Sequence, residues 1–294
     1  MMARIGVVHL VRYRNSNEVL ARFLKSYRHF DAGVEHDLIV IFKGFPGKQP
    51  ARDACLELLQ GIPHRILEVR DEGFDIQPYF DAAQTFDYPH FCFLNSFSVI
   101  LAEGWLEKLY RAVLQDGAGL AGATGSYQSF CPSSLTSYLA QSRQIKNRDP
   151  LKNIVLQTLP FSRHLNYLIS RLRFGRDFNY FPNYHIRTNA FIASRDVMLK
   201  SAARVRTKMD AYKFESGKDG LTMQVLDSGC RALVVGAGGE TFDKEDWHLS
   251  NTFWQSNQER LMVADNQTRQ YSEGTPEVKR MLAQRAWGDY ARPG

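Results

Sequence analysis

Arg12, Lys43 and Asn95 each stand just past an apolar run of strand length: Ile5 to Val11, Leu38 to Phe42 and Phe91 to Leu94. Open α/β sheets bind their ligands outside the carboxyl ends of their strands, and this shared location groups two cations and an amide as candidate ligand contacts. Arg187 is a third candidate cation. Carboxylates gather in two further stretches, Glu215 and Asp219 in Phe214-Glu-Ser-Gly-Lys-Asp219, and Asp71 and Asp75 on either side of Gly73. A carboxylate can accept the proton of an attacking hydroxyl. Hard cations such as Mg²⁺ or Mn²⁺ take oxygen ligands, which makes Asp71, Asp75 and the run Asp243, Glu245 and Asp246 the residues able to hold one. Polar variety is dense in Pro182-Asn-Tyr-His-Ile-Arg-Thr-Asn189, where His185 and Asn189 can meet hydroxyl groups, and in Thr252-Phe-Trp-Gln-Ser-Asn-Gln258, where the face of Trp254 accompanies amides. Each has a plainer reading beside it. A basic residue past a strand is commonly solvated, Asp219 just before Leu221 is placed to cap a helix, and a His and an Asn in a turn can be satisfied by backbone.

Other chemistries lack their residues. Gly117-Ala-Gly-Leu-Ala-Gly122 spells a dinucleotide loop, but it follows a helical pattern and runs into a strand, the reverse of the order that chemistry needs. No GxSxG, P-loop or kinase signature is present. Cys55, Cys92, Cys131 and Cys230 stand far apart, which argues against zinc and against a disulfide framework. The run at Ile5 to Val11 reads as a first strand and not as a signal peptide, no apolar stretch approaches a membrane span, and the Asn266-Gln-Thr268 sequon reads as chance, so the expected compartment is the cytoplasm.

The elements that must position these side chains follow from the apolar pattern. Strands are expected at Ile5 to Val11, Leu38 to Phe42, Ile66 to Val69, Phe91 to Leu94 and Leu120 to Thr124, with later ones at Ile186 to Ala193 and Ala232 to Gly236. Helices are expected at Glu18 to Phe30, Ala51 to Leu59, Pro78 to Phe86, Glu103 to Gln115 and Leu221 to Ser228. Strand and helix alternate, the pattern of an α/β sheet covered on both faces. Residues 133–176 are helix-prone and basic, so the expected organisation is one domain over 1–240 with a helical insertion at 133–176 and a C-terminal extension, 241–294, packed on it.

The chain has 294 residues, 44% of them hydrophobic and 12% aromatic, which excludes disordered, collagen-like and coiled-coil classes. Its formal charge of +6 is concentrated. Between 140 and 176, Arg143, Lys146, Arg148, Lys152, Arg163, Arg171, Arg173 and Arg176 face Asp149 alone, so the rest is nearly neutral. That segment, rich in leucine as well, suits an anionic membrane surface or a lipid-diphosphate-linked acceptor, or else covers the core with a solvated basic face. No nucleic-acid motif accompanies the charge.

The order of motifs resembles that of GT-A glycosyltransferases, in particular family 2. Arg70-Asp-Glu-Gly-Phe-Asp-Ile-Gln-Pro-Tyr-Phe80, then Phe91-Cys-Phe-Leu-Asn-Ser-Phe-Ser98, then Gly104-Trp-Leu106 is similar to the glycine turn, helix, strand and helix start of the donor-binding half. Val7 to Val11 looks like the first strand, whose end packs on the nucleotide base; Asp37 to Gly44 looks like the second. Phe214 to Asp219 ahead of Gly229-Cys-Arg-Ala-Leu-Val-Val235 resembles the segment carrying the catalytic base. The string Gly-Phe-Asp-Ile-Gln-Pro is also similar to one in bacterial rhamnan synthesis proteins. The likeness spans about residues 4 to 128 and 184 to 236.

The resemblance implies a mixed sheet flanked by helices and transfer of a hexosyl or deoxyhexosyl group from a UDP-, dTDP- or GDP-linked sugar to a saccharide or polyprenyl-linked acceptor in polysaccharide synthesis. It implies inversion, with Glu215 or Asp219 as base; Phe214 would shield Glu215 and Gly217 would leave room for the acceptor. His9, Val11, Arg12, Lys43, Asp71, Gly73, Asp75, Asn95 and Ser96 would face the donor, and His185, Arg187, Asn189 and Trp254 the acceptor. The family's metal carboxylates are replaced: Phe42 and Lys43 stand for its acidic pair, and Asn95, Ser96 and Phe97 for its Asp-x-Asp. Lys43, Arg12 or Arg187 would then stabilise the leaving diphosphate in place of Mg²⁺ or Mn²⁺. A domain that has lost its metal site and serves only to bind is the alternative.

Overall fold

The computed structural model describes residues 5–15, 17–131, 160–201, 203 and 205–294. Its centre is a mixed eight-stranded sheet. Strands β1 (Ile5–Arg12), β2 (Asp37–Lys43) and β3 (His64–Val69) run parallel and pair in that order, β4 (His90–Leu94) lies parallel on the other side of β1, and β6 (Ala118–Gly122) and β10 (Arg231–Val235) form a second parallel pair. Between the two groups β9 (Ala190–Ser194) is antiparallel to both its neighbours, β4 and β6. Both faces are covered. Val8, Leu10, Ile39, Ile41, Phe91 and Phe93 point into one core, and Val7, Leu38, Val40, Phe42, Cys92 and Leu94 into the other. Two-sided burial is why these strands read as continuous apolar runs.

Helices α1 (Asn17–His29), α2 (Gln49–Leu58), α3 (Ile76–Thr85) and α4 (Trp105–Val113) fall where the periodicity expects them, within a few residues at their ends. One expected strand differs. Ile186 to Ala193 is broken into β8 (His185–Ile186), paired with β7 (Gly125–Ser126), and β9, because Arg187, Thr188 and Asn189 spend their hydrogen bonds on other parts of the chain.

The residues after 240 add to this core. Strand β11 (Thr241–Phe242) closes the sheet's edge against β10, and β12 (Val263–Ala264) pairs with the short β5 (Val99–Ile100). Trp247, Trp254 and Trp287 are buried in the same core as β1 and β2. Of the basic segment, residues 133–159 lie outside the described residues, and α5 (Pro160–Gly175) is a helix on which Leu165, Leu168, Ile169 and Leu172 are exposed. No helix among the described residues is long and apolar enough to cross a membrane.

Candidate functional site

The pairing register brings the ends of three strands together: Arg12 lies opposite Lys43, and Lys43 opposite Val69. Past this edge opens a cleft of about 1240 Å³, lined among others by Arg12, Arg14, Lys43, Asp71, Gln77 and Arg206. Lys43 is only 1% exposed. Its ammonium donates to the carbonyl of Phe74 and stands 3.7 Å from Asp71. Asp71 is also 3.1 Å from Arg14 and 3.8 Å from Arg12, and Asp75 is 3.6 Å from Arg12. Burial, with the Arg12 guanidinium nearby, lowers the Lys43 pKa against the opposing pull of Asp75 and Asp71. Gly73 and Phe74 shape this wall in the left-handed region, φ +65° and +52°. A Cβ on Gly73 would lie 2.2 Å from that of Gln77, so only glycine lets α3 start so close to the loop.

Asp75 connects the cations with the candidate base. Burial raises its pKa; its carboxyl also feels Arg12 and Lys43, which oppose that shift, and Glu215, which adds to it. Glu215 is half-buried in the last turn of α7 (Lys208–Ser216) and accepts a hydrogen bond from the Thr188 hydroxyl. Its charge also reaches Tyr79 and His185. The Tyr79 hydroxyl, one Asp75 oxygen, Arg12 Nε, Ser96 Oγ and Asn189 Nδ2 are buried without a hydrogen-bond partner among the described residues. Buried polar atoms without partners cost free energy unless a ligand or water meets them.

The turn after β4 holds its own amide. Asn95 Oδ1 accepts from the Phe97 N–H at 2.9 Å and the Ser98 hydroxyl at 3.2 Å, closing an Asx turn. Metal ligation is not built here or in the acidic run. Asp243 is gripped by Arg231 at 2.8 and 2.7 Å and Glu245 is paired with Lys244. Among the described residues no three His, Cys, Asp or Glu side chains converge as a metal site.

Several candidates from the sequence sit elsewhere than expected. His9 is 1% exposed and stacks on Phe23 at 3.6 Å, and burial lowers its pKa to about 3, so it is a neutral core residue closed to a nucleotide base. Val11 points into the core as well. Trp254 is 4% exposed, with its indole N–H on the Gln267 carbonyl at 3.0 Å and its ring on Phe253, so it turns no open face to an acceptor. Arg187 is buried and engaged by Asp265 at 2.7 Å, with Phe253 4.0 Å below its guanidinium, which leaves it no diphosphate to hold. Asp219 is exposed, and Gly220 takes the N-cap position of α8 (Leu221–Asp227). Gly217 leaves no acceptor space: its Cβ would meet the Lys213 carbonyl at 2.4 Å. His185 is buried, its pKa lowered by burial, with Nδ1 on the Asn183 carbonyl at 2.9 Å.

Thr188, Tyr79, Arg14 and Arg206 were not legible as site residues. Tyr79 had a usable signal, since it follows Asp75 by one helical turn on α3. Thr188 had none, because its partner Glu215 is 27 residues away.

No protein-family model matches the chain, and no curated protein matches its sequence. Among solved structures it is similar to glucosyl-3-phosphoglycerate synthase from Mycobacterium tuberculosis in complex with Mn²⁺, UDP and phosphoglyceric acid (14% identity, TM-score 0.38, covering 77% of this chain and 63% of that one). It is also similar to a mannosyltransferase from Pyrobaculum calidifontis in complex with GDP-mannose and Mn²⁺ (10% identity, TM-score 0.47, 85% and 60% covered). A third is 4-diphosphocytidyl-2C-methyl-D-erythritol synthase from Anaerococcus prevotii (12% identity, TM-score 0.44, 85% and 97% covered). The chain thus spans about three-fifths of the length of the first two.

Proposed function

We propose that the chain is a GT-A glycosyltransferase that moves a hexosyl or deoxyhexosyl group from a UDP-, dTDP- or GDP-linked donor to a saccharide or polyprenyl-linked acceptor with inversion. The supporting observation is the charge cluster at one edge of the sheet, where Lys43 stands 3.7 Å from Asp71, Arg12 stands 3.6 Å from Asp75, and the Glu215 charge reaches Asp75. The acceptor oxygen attacks the anomeric carbon and its proton passes to Glu215. The bond from that carbon to the diphosphate oxygen breaks, and its electron pair stays on the diphosphate. Lys43 and Arg12 carry the charge that develops there. Calorimetry with UDP, dTDP and GDP in the presence of a chelator is expected to show saturable binding of one of them. Donor turnover is expected to fall about 10² to 10⁴-fold in Glu215→Gln. Binding of none of the three sinks the donor reading, and binding without turnover in the unaltered protein marks a binding domain instead.

We further propose that α5 meets an anionic membrane surface where a polyprenyl-linked acceptor would lie. Leu165, Leu168, Ile169 and Leu172 recur at helical spacing and are exposed, with Arg173 and Arg176 exposed beside them. Sedimentation with vesicles containing phosphatidylglycerol is expected, and its loss in Leu168→Ser/Leu172→Ser; sedimentation unchanged by that pair removes the surface.

A further inference from the structure

Three consecutive residues between β8 and β9 tie together three distant parts of the chain. Asn189 is the donor-side tie: its carbonyl accepts the Asn95 N–H at 2.9 Å and the Ser98 hydroxyl at 3.2 Å, and its side-chain oxygen accepts the Thr124 hydroxyl at 2.6 Å. Arg187 is the tie to the C-terminal part, through Asp265 at 2.7 Å, and its own N–H donates to the Thr124 carbonyl at 3.0 Å. Between them Thr188 donates its hydroxyl to Glu215 Oε2. The turn cannot shift by a residue without breaking all three attachments.

A carboxylate that takes a proton in one direction needs one oxygen free and the other fixed, because a carboxyl group otherwise turns about its terminal bond. The Thr188 hydroxyl occupies Oε2, which would leave Oε1 for an acceptor. We infer that Thr188 is a positioning residue: it orients Glu215 relative to the donor-side loop at Asn95 through the rigid turn it shares with Asn189. This rests on the reading of Glu215 as base. The neighbour Asp75 interacts with Glu215 by charge, whereas Thr188 holds it by a directed bond. Misplacement of a reacting group by about 1 Å costs on the order of a hundredfold in rate, and this is the loss the turn prevents.

The test uses the full chain and a panel of UDP-glucose, dTDP-rhamnose and GDP-mannose, with release of the nucleoside diphosphate followed over time. Thr188→Val is expected to lower kcat about a hundredfold with donor KM within about twofold, and Thr188→Ser to restore most of it. Independently of turnover, the ¹³C carboxyl line of Glu215, assigned by its absence in Glu215→Gln, is expected to move in Thr188→Val and return in Thr188→Ser. If Glu215→Gln abolishes turnover while Thr188→Val keeps the kcat, the base stands and the positioning role is wrong. If Glu215→Gln keeps the turnover, the base reading fails. An unmoved carboxyl line in Thr188→Val overturns the inference in either case.

Discussion

Lys43 and Arg187 are both buried cations at the same edge of one sheet, yet the regions around them are built to opposite ends. Around Arg187 every charge is answered. Its guanidinium meets Asp265 at 2.7 Å and Thr124 at 3.3 Å and lies over the Phe253 ring at 4.0 Å, while Asp265 also caps the next helix by accepting the N–H groups of Gln267 and Thr268. Around Lys43 the answer is partial. The nearest carboxylate is 3.7 Å away and shared with Arg12 and Arg14, and Arg12 and Asp75, whose charges act on Lys43, each carry a buried polar atom without a hydrogen-bond partner among the described residues. A buried charge with complete partners clamps a fold. One with incomplete partners beside an open cleft leaves its field available to a ligand.

The comparison breaks if the two cations respond alike to removal. Arg187→Met leaves the Asp265 carboxylate buried and unpaired, and the expected loss is about 3–5 kcal/mol of stability, read by urea unfolding. Nucleotide affinity of the protein that remains folded should be unchanged. A loss under about 1 kcal/mol would mean the pair is no clamp. The second substitution, smaller in effect, is Lys43→Met. Stability should hold or rise, because a desolvated ammonium is removed, while affinity for the nucleoside diphosphate falls about 10 to 100-fold, or about 1.4–2.8 kcal/mol. Because burial lowers the Lys43 pKa, its charge is lost earlier on the alkaline side than that of an ordinary lysine, so nucleotide binding should weaken as pH rises and Lys43→Met should lack that dependence. Equal affinity in the two proteins would place the diphosphate elsewhere.

Much of the frame was legible from residue order. The apolar runs ending at Arg12, Lys43 and Asn95 are strands, and their residue types announce an edge with two cations and an amide. Parallel register makes two of these ends neighbours, Arg12 against Lys43, and sets Lys43 against Val69. Other residues were misplaced for one reason. His9, Trp254 and Arg187 have the chemical types that sites use, and each was taken up by packing that a sequence does not display. The same blindness hid Thr188, whose meaning lies in a partner on another helix.

Composition and apolar period alone determined that this is an α/β protein, where its first strands lie and that its charge is uneven, since those properties depend on neighbours within a few residues. Tertiary structure alone decided that β9 runs against both its neighbours, that the residues after 240 complete the core, and which of two similar cations is spent. Hydrogen-bond direction, burial and charge pairing are set by contacts between residues tens to hundreds of positions apart, and a carboxylate becomes a base or a clamp according to what the folded chain brings against it.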